Sequence, residues 1–287
     1  MPYDARLAHF IDKVFLGDIL ELIRALPEGS VDMVYADPDY NVGVKYNETG
    51  YRRRFDEYLA WCVAWAAESL RVLKETGNLF IINYPRNNSY LWTTYLDDAC
   101  YDVHEYVWCY NSNIGHSPRR FTTAHRSILH CRKCARNVFY KESVAEPYQN
   151  PTDRRIRANL ARGSKGRMPY SWLYYDLVKN VSRSKTVHAC QIPEGLSEKL
   201  VRSTTLVGDV VLVLFGGSGS ELVVCKRLGR HFMSAEIDAN YHKMILERLR
   251  TPEKVPDDMR LLARIRERRR KARMREMLPF RWDDTAG

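Results

Sequence analysis

The run Val31-Asp-Met-Val-Tyr-Ala-Asp-Pro-Asp-Tyr-Asn41 ends in four residues that could do chemistry together. They are two carboxylates, Asp37 and Asp39, a rigid corner at Pro38 and the aromatic ring of Tyr40. An exocyclic amine on a nucleobase is a poor nucleophile, because its lone pair is delocalised into the ring. Asp37 and the Pro38 carbonyl would accept both of its N–H bonds, draw the nitrogen towards tetrahedral geometry and aim the lone pair at an electrophile. Tyr40 would stack on the base. A base can occupy such a pocket only outside a duplex, so flipping is implied. The tetrad on its own reads equally well as a turn with acceptor side chains.

The elements around the tetrad must bring it to an edge. Val31, Met33, Val34 and Tyr35 read as a buried strand, and in open α/β folds ligands bind at the carboxyl edge of such strands. Upstream, Val14 to Asp18 is a short strand closing in Gly17-Asp18, and Ile19 to Leu26 has helical spacing that Pro27-Glu28-Gly29 stops. Asn41 to Arg54, with Arg52-Arg53-Arg54, reads as a polar loop that moves beside the corner. Phe55 to Leu73 is an amphipathic helix, with Gly77 expected at its C-cap, and Leu79 to Ile82 is a buried strand. Asn87 to Ala99 follows as a helix, then Tyr101 to Tyr110 and Arg126 to Cys131 as strands. Alternation of this kind predicts an α/β fold with a doubly wound, mostly parallel sheet covered on both faces.

A second site lies late in the chain. Asp209 to Phe215 is the strongest buried-strand signal, and it runs into Gly216-Gly217-Ser218-Gly219-Ser220 and a helix from Glu221 to Leu228. Small residues let a ligand approach the backbone, and a helix N-terminus offers free N–H groups. Glu236 closes the next strand about twenty residues on, where a carboxylate accepts ribose hydroxyls. The lysine and spacing of a phosphate-binding Walker loop are missing. Loop and Glu236 together favour a nucleoside-bearing cofactor over a plain structural turn.

The net charge is +10, and its distribution matters more than its size. Between Asn111 and Lys185 there are 16 Lys/Arg against 4 Asp/Glu, interleaved with Tyr, Trp and Phe. That is what a polyanion surface requires, although charge alone equally describes a solvated basic face. Arg119, Arg120, Phe121, Arg154, Arg155, Lys165 and Arg167 are the candidate DNA-contacting residues in this stretch. No apolar run is long enough to span a bilayer, Met1 to Phe10 has no signal-peptide pattern, and seven scattered cysteines suit a reducing cytoplasm. Cys131-Arg-Lys-Cys134 has zinc-like spacing without a second pair, so no metal is expected.

These pieces resemble the amino-methyltransferases of DNA, which modify adenine N6 or cytosine N4, in the β-class order with the cofactor half last. The resemblance spans Lys13 to Leu249. Asp37-Pro38-Asp39-Tyr40 is similar to their Asp/Ser/Asn-Pro-Pro-Tyr/Phe motif. Gly17-Asp18 resembles the segment whose carboxylate contacts the cofactor's adenine. Arg71 to Ile81 resembles the helix-to-strand step after the catalytic motif, and Arg120 to Leu129 the segment that helps hold the flipped base. His188-Ala-Cys-Gln191-Ile-Pro193 resembles His-Pro-Thr-Gln-Lys-Pro, and Val213 to Ser220 resembles Asp-Pro-Phe-Ala-Gly-Ser-Gly-Thr.

The resemblance implies a Rossmann-like methyltransferase fold and S-adenosyl-L-methionine as cofactor, held by Asp18, Phe215, Gly216, Gly217, Ser218, Gly219 and Glu236. It implies DNA as partner, with adenine N6 favoured by the aspartate-first motif, and catalysis by Asp37, Pro38, Asp39 and Tyr40. A homodimer, a restriction endonuclease partner and a nucleoid-associated location are further expectations. The expected division is a catalytic half over 1–110, a base-pocket segment with an inserted basic recognition region over 111–186, a cofactor half over 187–250, and a basic C-terminal helix or tail over 251–287. Departures from the family pattern include Asp39 for the second proline, Val213 and Leu214 for the aspartate and proline that open the glycine-rich motif, and Ile192 for a lysine. Loss of a carboxylate at 213 is expected to remove a partner for the cofactor's ammonium, worth roughly 1.5–3 kcal/mol for a charge-assisted hydrogen bond.

Overall fold

The computed structural model describes residues 3–43, 45–46, 49–50, 53–111, 118–178 and 191–250. The motif residues 188–190 and the basic tail 251–287 lie outside these. In chain order the strands are β1 (Lys13–Leu16), β2 (Val31–Ala36), β3 (Lys45–Tyr46), β4 (Thr49–Gly50), β5 (Leu73–Asn83), β6 (Asp102–Cys109), β7 (His125–Arg132), β8 (Trp172–Tyr174), β9 (Val210–Phe215) and β10 (His231–Glu236). The helices are α1 (Ile19–Ala25), α2 (Phe55–Val72), α3 (Pro85–Leu91), α4 (Asp97–Ala99), α5 (Lys141–Val144), α6 (Arg154–Ala161), α7 (Glu194–Thr204), α8 (Ser220–Arg227) and α9 (Ala239–Arg250).

Eight strands form one sheet in the order β1-β10-β9-β2-β5-β7-β6-β8, and β3 and β4 form a separate small hairpin. From β1 to β5 all neighbours are parallel; β7 runs antiparallel to both β5 and β6. Period-two alternation divides each central strand between two cores. Val210, Leu212 and Leu214 of β9 pack with α1 and α2, while Val211 and Val213 pack with α7, α8 and α9. Helices therefore cover both faces, and β9 is apolar along its length because neither face meets water.

The topology places the site. From β2 the chain builds outward through β5, whereas β9, β10 and β1 lie on its other side. The junction of β2 and β9 is thus a topological switch point, where a crevice opens beyond the carboxyl ends of the strands.

Two expectations need correction. Lys74 to Gly77 do not cap a helix; α2 ends at Val72, and β5 starts at once with Leu73 opposite Val31. Gly77 sits where the β2–β5 register slips, and a Cβ there would lie 2.7 Å from Leu73 Cδ1 and 2.9 Å from the Asp32 carbonyl. Glycine at 77 thus answers to strand packing. The helix expected from Asn87 begins earlier, with Pro85 in its first turn, and passes through π-helical turns over Trp92–Leu96 before ending at Ala99. No helix among the described residues is long and apolar enough to cross a membrane.

Candidate active site

Parallel pairing sets Tyr35 of β2 beside Val213 of β9, so Asp37 and Phe215, each two residues further on, emerge side by side. Glu236 ends β10 opposite Leu16, which brings Gly17-Asp18 to the same edge. A cavity of about 430 Å³ opens there, lined by Asp37, Pro38, Asp39, Tyr40, Phe215, Gly216, Gly217, Ser218 and Glu236. An adjoining cavity of about 140 Å³ is lined by Asp18, Asp39, Trp61, Phe215 and Glu236. Nearly every residue expected to catalyse or bind cofactor is thus gathered at one crevice. Gly219 lines neither cavity; it caps α8 at φ +73°, the left-handed region that suits glycine.

The Tyr40 hydroxyl donates to Asp37 Oδ1 at 2.5 Å. Burial pushes the Asp37 carboxyl up to about 7, while the Tyr40 hydrogen bond and the Arg126 guanidinium pull it down. The acid is therefore poised near neutrality, the range suited to accepting a proton. Asp39 is also raised, by burial, and its Oδ1 has no hydrogen-bond partner among the described residues.

The backbone of the tetrad is held by side chains that sequence reading missed. Tyr58, 2% exposed, donates its hydroxyl to the Asp39 carbonyl at 2.7 Å and accepts from Asn83 Nδ2 at 2.9 Å. Asn87 Nδ2 donates to the Tyr40 carbonyl and to Asn83 Oδ1, both at 2.9 Å. Asn83 and Asn87, four residues apart across the end of an apolar strand, were the available signal. Their amides find partners only when α2, β5 and α3 converge.

Glu236 fastens the glycine-rich loop. Its Oε2 accepts from Gly217 N at 2.7 Å and its Oε1 from Asp238 N at 2.9 Å. Each oxygen keeps a further lone pair for a ligand hydroxyl. Asp18 accepts from Leu20 N at 2.6 Å and so caps α1 as well as facing the smaller cavity. Val213 is sealed in the core, 1% exposed, and lines neither cavity. Ile192, also buried, closes the larger cavity with apolar surface.

The larger cavity carries Asp37, Asp39, Glu221, Glu236 and Asp238, and no lysine or arginine among its described lining residues. Such a site disfavours phosphate and favours a cation. S-adenosylmethionine bears a sulfonium and an ammonium against one carboxylate, so the donor set fits it.

On the other side of Tyr40 a wider cleft of about 840 Å³ is lined by Tyr40, Tyr84, Arg86, Asn87, Thr123 and His125. Arg126, another residue that sequence reading did not single out, lies over Tyr84 at 3.9 Å and over Tyr40 at 5.3 Å, and donates to the Tyr110 hydroxyl. Phe121, 99% exposed, projects from the segment leading to this cleft, beside the exposed Arg119 and Arg120. Arg154 and Arg155 are exposed on α6, and Lys165 is exposed nearby. Arg167 differs: it pairs with Glu146 at 2.8 Å and stacks over Tyr170 at 4.1 Å, so its guanidinium is engaged within the protein.

Mixed sheet, switch-point crevice and acidic cavity are those of a Rossmann-like S-adenosylmethionine-dependent methyltransferase. The chain matches the N6/N4 DNA methylase family over residues 31–247 and belongs to it; it is a DNA methyltransferase of that family. It is 27% identical over 279 residues to the type II methyltransferase M.HinfI of Haemophilus influenzae, covering 88% of this chain and 72% of that one. It is 27% identical to the DNA adenine methyltransferase YhdJ of Escherichia coli over 242 residues, 81% of each chain. Among solved structures, the cytosine-N4-specific PvuII DNA methyltransferase superposes with a TM-score of 0.65 at 20% identity, covering 83% of this chain and 86% of that one.

Proposed function

We propose that this chain transfers a methyl group to adenine N6 of a base flipped out of duplex DNA. The observation that carries the reading is the position of Asp37. Its carboxyl faces the acidic crevice beside the glycine-rich loop, and its hydrogen-bond partner Tyr40 also lines the wider cleft beyond. A base entering from that cleft would present its amine to Asp37 and the Pro38 carbonyl and its ring face to Tyr40. S-adenosylmethionine, when bound by Phe215 to Ser218, Glu236 and Asp18, supplies an electrophilic methyl.

In this reading Asp37, ionised, accepts one N–H of the amine and the Pro38 carbonyl the other. Among the described residues nothing donates to that carbonyl, so it is available. Because the Tyr40 hydroxyl occupies Asp37 Oδ1, an incoming amine either uses Oδ2 or displaces it. Asp37, raised to about 7, then takes the proton that the methylated nitrogen sheds. Tyr58, Asn83 and Asn87 keep the Asp39 and Tyr40 backbone fixed while this happens. Arg119, Arg120, Arg154, Arg155 and Lys165 hold phosphates, which positions the duplex without reading its sequence.

The aspartate-first motif and the adenine specificity in the name of the YhdJ relative support adenine; the PvuII neighbour, at 20% identity, bears on fold only. The proposed division follows the same logic, with the catalytic half over 1–110, the base-pocket segment and inserted recognition region over 111–186 and the cofactor half over 187–250. Mass spectrometry of nucleosides from DNA treated with enzyme and cofactor tests the base. N6-methyladenine is expected, and N4-methylcytosine alone would overturn the assignment. Asp37→Ala should abolish product while DNA affinity stays near that of the wild type; surviving activity would sink the mechanism.

A further inference from the structure

The crevice contains one acid to which the reading above gives no role. Glu221 lies in the first turn of α8, is 4% exposed, and lines the same cavity as Asp37 and the loop Gly216 to Ser218. Its neighbours are already satisfied. Glu194 is paired with Arg227 at 2.8 Å and with Arg248 at 3.0 Å. Arg248 also donates to the Ser218 carbonyl and, at 3.4 Å, to the Ser220 hydroxyl. Glu221 feels Arg248 through space but forms no ion pair among the described residues, and the acid that acts on it most strongly is Asp37, with Glu194 acting in the same direction.

A carboxyl so placed is held up at about 8, by burial first and by the Asp37 charge second. A buried acid without a countercharge carries a desolvation penalty that a cationic ligand removes. The carboxyl takes a hydrogen bond from its own backbone N–H, and the ligand group has to satisfy the remaining acceptor capacity away from water, which calls for further N–H donors. An ammonium has three, whereas a sulfonium has none. Val213 cannot take this role, being an apolar side chain sealed between Tyr35 and Ser234.

We propose that Glu221 receives the α-ammonium of S-adenosylmethionine, and so replaces from the first turn of α8 the carboxylate that the family's glycine-rich motif carries where this chain has Val213. The anionic anchor has moved from the end of a strand to the helix that follows it. The inference rests on the cofactor assignment and adds a residue to it.

Calorimetric titration of three ligands tests it: S-adenosylmethionine, S-adenosylhomocysteine, which keeps the ammonium but not the sulfonium, and 5′-methylthioadenosine, which has neither. Glu221→Gln, close in shape, should weaken the first two by about tenfold to a hundredfold and leave the third unchanged. Equal weakening of all three would mean that Glu221 only supports the loop, and would overturn the proposal. Loss confined to S-adenosylmethionine would place the sulfonium at Glu221 and overturn it too, as would unchanged affinities. A variant-independent arm uses wild-type protein. Deaminated S-adenosylhomocysteine should bind more weakly than the parent by the same factor, and equal binding would refute the contact. If wild-type protein binds none of the adenosyl ligands, the cofactor assignment itself fails, which separates the two failures.

Discussion

Tyr40→Phe isolates the electrostatic part of the proposed mechanism, because it keeps the stacking ring and removes only the hydroxyl that donates to Asp37 Oδ1 at 2.5 Å. That hydrogen bond stabilises the ionised carboxyl, so its loss raises the Asp37 pKa above about 7. A hydrogen bond to a charged group is worth roughly 1.5–3 kcal/mol, and one pH unit corresponds to about 1.4 kcal/mol, so the increase is roughly one to two pH units. Asp37 must be ionised to accept the amine, so activity rises with pH through its pKa. The variant's rising limb therefore moves to higher pH. Near pH 7.5 the ionised fraction falls roughly threefold to twenty-fivefold, and most of the deficit is recovered two pH units higher. The assay is the pH profile of kcat/KM for methyl transfer to DNA, wild type against variant. A limb that stays in place, or moves to lower pH, would refute the role given to the Tyr40 hydroxyl. A deficit that persists unchanged at high pH would mean the hydroxyl acts in some way other than on Asp37 ionisation.

Four further outcomes follow from the same geometry. Tyr58→Phe leaves the Asp39 carbonyl and the Asn83 amide without their shared partner. At about 1–3 kcal/mol for each unsatisfied group, urea denaturation should show a clear loss of stability, with a fall in kcat; a variant matching the wild type in both would show that the network does not hold the tetrad. With Glu221 raised to about 8 when the crevice is free of ligand, binding of a cation expels its proton. Cofactor affinity should therefore climb between pH 6 and pH 8, by at most about tenfold per pH unit for one proton, and flatten above; Asp37 adds to the slope near 7. Glu221→Gln should reduce that slope, and affinity falling with rising pH in the wild type would contradict the sign. Arg154→Ala and Arg155→Ala on the exposed face of α6 should each lower the salt dependence of DNA binding by about one released counterion. Arg167→Ala should instead cost stability, since it breaks the pair with Glu146.

Much of this protein is determined by local chemistry and is legible in the chain itself. Apolar runs ending in Asp37-Pro38-Asp39-Tyr40, in Gly216 to Ser220 and at Glu236 identify three strand ends, because a buried strand that stops in polar residues must stop at a sheet edge. Helical periodicity identifies α1 and α2 for a similar reason. Spacing does not carry register or long-range pairing. Lys74 to Gly77 look like a helix stop, since a glycine after a helix usually is one, and only the approach of β2 shows that the missing Cβ makes room for Leu73 and the Asp32 carbonyl. Tyr58, Asn83 and Asn87 are ordinary residues until three elements converge and join their polar groups in one network. Arg126 and Arg167 carry the same charge in the sequence, yet one reaches the tyrosines of the cleft and the other is engaged by Glu146. At the site itself, sequence shows a carboxylate missing at Val213. Only the tertiary structure shows another, Glu221, buried in the crevice where charge is costly and a cation would relieve it.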